Sequence, residues 1–197
     1  MTAYLPEDNC LYKEKGYWDS RFDSEESYDW LARYENVAEL LAKYVRPSDR
    51  ILMVGCGNST FSIDMYKAGF HNITNIDFSK VVIERMSAKY SEEMPEMKWK
   101  EADMTKLREI FTPESFDVVI DKAAMDALMC DEGDVWSPSE GTFVQISFAQ
   151  PHFRKRFLLG EGEQAPISTV YGWDYSYDNI EIGLGYFFYV LQKISKK

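Results

Sequence analysis

The feature that most constrains the fold is a short apolar run that ends at a pair of glycines. Ile51-Leu-Met-Val54 follows a Pro-Ser-Asp-Arg turn and runs directly into Gly55-Cys-Gly57. A run with no polar face suits a strand that is buried on both sides of a parallel sheet. Two glycines allow a sharp turn and a close approach of the backbone to a ligand. The segment from Ser59 to Lys67 then predicts a helix, so the whole stretch predicts a strand–turn–helix unit.

The same alternation continues along the chain. Short strands are predicted at 73–76, 97–101, 116–120 and 142–148, and a helix is predicted to begin at Ser79. Strands that alternate with helices favour a right-handed, doubly wound parallel sheet. Two final strands, at 170–177 and 185–191, are joined by a short link that suits an antiparallel pair. The chain is therefore predicted to be an α/β protein with a Rossmann-like, mostly parallel seven-stranded sheet.

The N-terminal segment is too rich in aromatic residues for a disordered tail, so we expect it to pack on the rest of the molecule. A helix is predicted at 34–45 and is stopped by Pro47. We expect a single domain over residues 1–197, with residues 1–45 as an N-terminal part and 46–197 as the Rossmann-like core. The aromatic residues concerned are Tyr4, Tyr12, Tyr17, Trp18, Phe22, Tyr28 and Trp30.

Charge and cysteine usage restrict the partners and the compartment. The net charge of −11 disfavours nucleic acid and anionic membranes, and it is consistent with a basic protein partner or with solubility alone. The N-terminus has no secretory pattern, and no apolar run reaches the ~18 residues of a membrane span. Cys10, Cys56 and Cys130 are far apart, so we expect no metal site and a reducing, cytoplasmic location. Nothing in the sequence calls for more than a monomer.

A carboxylate after the second strand points to a nucleoside cofactor. Asp77 lies 22 residues after Gly55, where it can accept hydrogen bonds from both hydroxyls of a ribose. Thr60 stands where a dinucleotide fingerprint has its third glycine, which weakens the case for an NAD-dependent oxidoreductase. S-adenosylmethionine, which has no pyrophosphate, fits the turn better.

Two acidic residues admit a second interpretation. Asp103 follows the third strand and could accept from an adenine amino group, between Met104 and Phe78 as apolar walls. It could equally cap the helical segment that follows it. Asp77 could cap the helix after the second strand, although its position favours the ribose role.

Several motifs together resemble class I seven-β-strand methyltransferases, and more narrowly the eukaryotic lysine methyltransferases of translation elongation factor 1-alpha. Within that family the chain is most similar to the small type encoded alongside endothelin-converting enzyme 2. The motifs span most of the chain: Tyr17-Trp-Asp-Ser-Arg-Phe22, Tyr28-Asp-Trp30, Arg50-Ile-Leu-Met-Val-Gly-Cys-Gly-Asn-Ser59, Phe116-Asp-Val-Val-Ile-Asp-Lys122, Met125-Asp-Ala-Leu128 and Pro151-His-Phe-Arg154. The aromatic motifs and the Asp-Lys pair are the specific ones, since the glycine turn is common to the superfamily.

The resemblance implies that S-adenosylmethionine is the cofactor, S-adenosylhomocysteine its product, and a lysine of elongation factor 1-alpha the acceptor. It also implies that the aromatic N-terminus forms a lid over the cofactor. Candidates for the acceptor channel are Asp121, Asp126, Tyr171 and Trp173, whereas His152 is expected to be structural. Together with the glycine turn, the implied cofactor contacts are Trp18, Phe22, Trp30, Gly55, Gly57, Asp77, Phe78, Asp103, Met104 and Lys122.

Two departures from the family pattern leave alternatives open. Phe22 replaces a tyrosine, so a hydroxyl contact is lost while the ring remains. The segment after Trp136 is shorter than in relatives and leaves little length for the crossover into strand five. The alternatives are a methyltransferase that acts on a small molecule or another protein, and a non-catalytic module that binds S-adenosylmethionine.

Overall fold

A computed structural model describes residue 6 and residues 8–128, 141–159 and 173–193 of the chain. Its centre is a seven-stranded sheet with the strand order β3-β2-β1-β4-β5-β7-β6. The strands are β1 Ile51–Val54, β2 Ile73–Asp77, β3 Lys98–Glu101, β4 Val118–Lys122, β5 Thr142–Ser147, β6 Trp173–Ile180 and β7 Tyr186–Lys193.

Helices follow the strands as the sequence pattern requires. They are α1 Lys15–Ser24, α2 Tyr34–Leu41, α3 Phe61–Lys67, α4 Lys80–Tyr90, α5 Leu107–Ile110, α6 Ala124–Leu128 and α7 Pro151–Leu159. Two short 3₁₀ helices lie at Asn9–Lys13 and Met104–Lys106. The predicted helix at 34–45 ends early, at Leu41, and its last residues form a turn in which the Val45 N–H still donates to the Leu41 carbonyl.

The parallel part of the sheet is built around β1, whose four side chains are all buried. In the register, Val54 lies opposite Ile76 of β2 on one side and Asp121 of β4 on the other. The carboxyl ends of these three strands therefore lie side by side. The parallel sheet and its antiparallel C-terminal pair were predicted from the sequence and are confirmed.

The largest shifts from the expected strand bounds are at the fourth and sixth strands. The fourth strand covers Val118–Lys122 rather than 116–120, because Asp121 and Lys122 pair with Gln145 and Ile146 of β5. These two residues therefore belong to the strand and do not follow it. The sixth strand begins at Trp173 and continues to Ile180, and residues 170–172 lie outside the described part of the chain. The shortened crossover after Trp136 also lies outside it.

The aromatic N-terminal segment packs on the carboxyl-terminal edge of the sheet, as expected of residues with so much apolar surface. Helix α1 lies against α4, where the Arg85 guanidinium donates to the carbonyls of Phe22 (2.6 Å) and Glu25 (3.0 Å). Asp19 of α1 accepts from the Ser79 hydroxyl at the start of α4. No helix in the described ranges is long and apolar enough to cross a membrane.

Candidate active site

A cavity of about 510 Å³ lies between the carboxyl ends of the parallel strands and the aromatic N-terminal segment. Sites for small molecules and cofactors have volumes of roughly 300–1,000 Å³. Its position is the one expected for ligands of doubly wound sheets, outside the strand ends where the winding reverses. The turns after β1, β2, β3 and β4 therefore all border this one cavity.

All ten residues that the sequence analysis assigned to the cofactor line this cavity. They come from the N-terminal segment and from the ends of β1, β2, β3 and β4, and the parallel register of these strands brings the last four groups together. They are Trp18, Phe22, Trp30, Gly55, Gly57, Asp77, Phe78, Asp103, Met104 and Lys122.

Asp77 fixes the glycine turn from the end of β2. Its Oδ2 accepts from the Gly57 N–H at 3.0 Å, and its Oδ1 accepts from the Ser79 N–H at 2.9 Å. Burial raises the pKa of this carboxyl to about 6, and the two amide donors oppose that rise. Each carboxylate oxygen has two lone pairs, so both oxygens can still accept from hydroxyl groups of a ligand. The cap of α4 is Ser79 and not Asp77, since the Ser79 hydroxyl accepts from Val82 N–H.

The glycine turn needs both of its glycines. Gly55 and Gly57 have φ angles of +56° and +53°, which glycine adopts without the strain of a side chain. A Cβ atom on Gly55 would lie 2.2 Å from the Cβ of Ala124 in α6. The turn is therefore in close contact with the helix that follows β4.

Asp103 caps a helix and also lines the cavity. Its Oδ1 accepts from the Thr105 N–H (2.9 Å) and hydroxyl (2.7 Å), which caps the 3₁₀ helix after β3. The residue also lines the cavity, with Phe78, Ala102 and Met104 beside it. This end of the cavity therefore has an apolar wall with one carboxylate.

The opposite wall is aromatic. The Trp18 ring stacks on Phe22 with centroids 5.4 Å apart, and Trp30 meets Trp18 edge to face at 6.2 Å. The Trp18 indole N–H donates to the Tyr12 carbonyl, which fixes the ring. The Arg21 guanidinium lies 4.9 Å from the centroid of Trp30 and pairs with Glu25. The cavity is thus covered by rings whose faces attract cations.

These features fit S-adenosylmethionine. The buried carboxylate suits its ribose, the apolar wall near Asp103 suits its adenine, and the aromatic wall suits its sulfonium. Asp77, Phe78, Met104 and the rings of Trp18 and Trp30 would hold the cofactor.

Lys122 lines the cavity, but its ammonium group turns toward the N-terminal segment. The Nζ donates to the Trp30 carbonyl at 3.0 Å and lies 3.5 Å from Asp29 Oδ1. Burial lowers the pKa of this lysine, and the carboxylate of Asp29 opposes the effect. The aliphatic stem of Lys122 is therefore the part that borders the cavity, with its charge satisfied behind it.

The four acceptor-channel candidates separate. Asp126 lines the cavity, forms a buried ion pair with Arg154 and accepts from the Ser147 hydroxyl at 2.7 Å. Asp121 is fully buried one strand position before Lys122 and binds the Gln145 amide at 2.7 Å, outside the cavity lining. Trp173 packs in a second apolar cluster with Phe143 and is also not part of the lining. Tyr171 lies outside the described residues.

His152 does not take part in the cavity. It is exposed in the first turn of α7, next to Phe153, and its ring centroid lies 4.1 Å from that ring. Its neighbour Arg154 is the residue of this motif that reaches inward, to Asp126.

Some residues of the site were not anticipated. Phe148, directly after β5, and Tyr186, at the start of β7, line the end of the cavity that lies beyond β4. Phe148 is 61% exposed, which is unusual for a phenylalanine at the end of a strand. Both positions lay inside or next to predicted strands, but only the sheet order brings them to the cavity. Asp29 was part of a quoted motif without a role, and its contacts are described below.

The sequence and the fold were compared with known proteins. A family profile described as "Methyltransferase domain" matches residues 51–134. The chain is 34% identical over 212 aligned residues to EEF1A lysine methyltransferase 4 of Bos taurus, covering 96% of the chain and 79% of the relative. The corresponding protein of Mus musculus is 32% identical with the same coverage.

A solved structure supports the fold. Magnesium protoporphyrin IX methyltransferase of Synechocystis PCC 6803, a structure with bound SAM, matches with a TM-score of 0.60 and 13% identity. The match covers 96% of this chain and 99% of that one. The two proteins therefore share the seven-stranded architecture.

The environment of Asp77 predicts a pH-dependent cofactor affinity. Its pKa of about 6 means that the carboxylate becomes protonated as the pH falls through 6, and a protonated carboxyl accepts fewer hydrogen bonds. We expect S-adenosylhomocysteine to bind about fourfold more weakly at pH 5.5 than at pH 7.5, measured by titration calorimetry. An Asp77→Asn variant should bind weakly at both pH values. Equal wild-type affinities at the two pH values would contradict this role of Asp77.

Proposed function

Because the chain belongs to the EEF1A lysine methyltransferase 4 family of S-adenosylmethionine-dependent methyltransferases, we propose that it methylates a lysine of translation elongation factor 1-alpha. The observation that carries this proposal is similarity along 96% of the chain to relatives named for that substrate. The net charge of −11 adds support, since an acidic surface accelerates encounter with a basic protein. We further propose a cytoplasmic site of action and a monomeric enzyme.

The ten cofactor residues divide the work of binding. Asp77 would accept the ribose hydroxyls, and Phe78 and Met104 would hold the adenine near Asp103. The rings of Trp18 and Trp30 would cover the remaining part of the cofactor and exclude water from it. When bound, S-adenosylmethionine supplies a methyl group that is already activated by its sulfonium. The protein then mainly has to align the acceptor, and such alignment can contribute roughly 7–11 kcal/mol.

The acceptor would enter from the side of β4, β5 and β7. In the sheet order, the adenine-side residues lie at the ends of β2 and β3, and the lining residues that follow β4 and β5 lie across β1 from them. Phe148 and Tyr186 border this second half of the cavity. Two aromatic rings suit the four-carbon stem and the cationic end of a lysine side chain.

Asp126 is the acidic group at this end of the cavity. Burial raises the pKa of Asp126, while the Arg154 guanidinium opposes that rise. The ion pair with Arg154 and the Ser147 hydroxyl fix the carboxylate in place. We therefore assign Asp126 to the orientation of the lysine amine, whose proton is lost more readily in a dry channel because burial lowers the pKa of an amine.

A direct test uses methyl-labelled S-adenosylmethionine with purified elongation factor 1-alpha. We expect the wild-type chain to label a single lysine, identified by peptide mass spectrometry, and an Asp77→Ala variant to leave it unlabelled because the ribose acceptor is removed.

Other results of that test point to other functions. Labelling of a different protein in a cell lysate, with elongation factor 1-alpha unlabelled, would contradict the proposed substrate. Normal binding of S-adenosylhomocysteine without any transfer would indicate a non-catalytic binding module.

The aromatic border predicts a selective effect on the protein substrate. Replacing Phe148 with alanine removes a ring that lines the cavity without touching the adenine end. We expect the Phe148→Ala variant to raise KM for the protein substrate about tenfold, with the S-adenosylhomocysteine affinity unchanged. Phe153→Ala is the matched control, because Phe153 is 60% exposed but does not line the cavity. Equal effects of the two substitutions would contradict the assignment of Phe148.

A further inference from the structure

A buried ion pair between Lys122 and Asp29 connects the aromatic segment to the fourth strand. Lys122 Nζ, at the end of β4, donates to the Trp30 carbonyl and lies 3.5 Å from Asp29 Oδ1. The side chains of Lys122 and Asp29 are only 6% and 11% exposed. The main chain of Trp30 is thus held by the same lysine whose stem borders the cavity.

Asp29 also binds the turn after β1. The Ser59 hydroxyl donates to Oδ1 of Asp29. The Thr60 hydroxyl lies 3.2 Å from Oδ2 of Asp29 and 3.0 Å from Oδ2 of Asp64, so its one proton is shared between the two carboxylates. A single carboxylate therefore receives donors from the ends of two different strands. Asp29 itself does not line the cavity, whereas its neighbours Trp30 and Leu31 do.

The backbone is strained on both sides of this contact. Leu31, which follows Trp30, has a φ of +66°, and Ala123, which follows Lys122, has a φ of +70°. Left-handed conformations cost non-glycine residues free energy and persist where surrounding contacts impose them. Both residues line the cavity. The Trp30 carbonyl, next to Leu31, accepts from both Lys122 Nζ and the Ala32 N–H, and the Ala123 N–H donates to the Ile146 carbonyl.

We propose that Asp29 is a positioning residue: by binding Lys122, Ser59 and Thr60, it holds the aromatic segment over the cofactor cavity. We call these contacts of Asp29, together with the bond from Lys122 to the Trp30 carbonyl, the latch. The latch acts through Trp30, whose carbonyl is held by Lys122 and whose ring forms part of the cavity wall. It also keeps the ammonium of Lys122 paired, so that no unpaired cation stands beside a cationic sulfonium. This inference rests on the cofactor site alone, not on the identity of the protein substrate.

The charge pair makes a double-variant test possible. Asp29→Asn leaves Lys122 without its counter-charge, Lys122→Met removes the cation and its bond to Trp30, and the double variant contains neither charge. We expect each single substitution to weaken S-adenosylhomocysteine binding about tenfold, measured by calorimetry. The double variant should bind S-adenosylhomocysteine no more weakly than the weaker-binding single variant, because both substitutions break the same latch.

Matched variants separate the latch from general damage to the fold. Asp23→Asn makes the same chemical change at an exposed position of α1 and should bind like wild type. Thr60→Val keeps the shape of the side chain but removes the hydroxyl that Asp29 and Asp64 share, and should weaken binding by a smaller factor even if Asp29→Asn fails to fold. Asp64→Ala, which removes only the second contact, should bind like wild type.

Two further measurements, the KM for S-adenosylmethionine and the amide exchange of the aromatic segment, should change only if the latch positions the aromatic wall. In the Asp29→Asn variant we expect KM for S-adenosylmethionine to rise about tenfold while kcat at saturating cofactor changes less than about threefold. Amide exchange of residues 27–31 should slow on S-adenosylhomocysteine binding in the wild type and much less in Asp29→Asn. Wild-type affinity in Asp29→Asn and Thr60→Val, or additive losses in the double variant, would overturn the proposal. Neither result would bear on methylation of elongation factor 1-alpha, which the labelling assay tests separately.

Discussion

The register of three parallel strands determines most of this structure. Val54 of β1 lies opposite Ile76 on one side and Asp121 on the other, so β2, β1 and β4 end at one edge. The next residues are Gly55, Asp77 and Lys122, and each lines the same cavity. A slip of one residue would reverse the facing of every side chain in a strand. Because β1 is buried on both faces, such a slip would expose none of its apolar side chains to water, but it would misplace the strand ends.

Much of the cofactor half could be predicted because it follows from local patterns. A short apolar run, a glycine turn and an acidic residue after the next strand are all readable from sequence, and a family resemblance supplied the aromatic residues. All ten assigned residues line one cavity. What the sequence could not provide was the direction of a side chain. The stem of Lys122 borders the cavity, but its ammonium is used by Asp29 and Trp30.

The residues that were missed depend on contacts between distant parts of the chain. The contacts of Asp29 are with Ser59, 30 residues away, and with Lys122 at the end of β4. Phe148 looked like the last residue of a strand, and only the neighbouring positions of β5 and β7 place it at the cavity. The fourth strand was placed two residues too early because its apolar run ends before its hydrogen-bonded ladder does. Charged residues can continue a parallel strand when burial is matched by partners, as Gln145 provides for Asp121.

Polar contacts rather than apolar packing alone connect the aromatic segment to the sheet. Asp19 and Arg85 join it to α4, and Asp29 joins it to the turn after β1. Buried charge pairs add little net stability, but breaking one partner is costly, so such pairs can define one arrangement among several. In this chain they hold a wall of rings over a cavity that a cation-bearing cofactor fits.

Thermal unfolding with S-adenosylhomocysteine shows whether this cavity binds the methyl donor. A ligand present at 100 times its dissociation constant should stabilise the folded chain by about 2.7 kcal/mol. We predict a clear rise in Tm for the wild type and none for Gly55→Ala, in which a new Cβ would lie 2.2 Å from Ala124 Cβ. If the wild-type chain unfolds cooperatively at the same temperature with and without the ligand, the cavity does not bind the methyl donor.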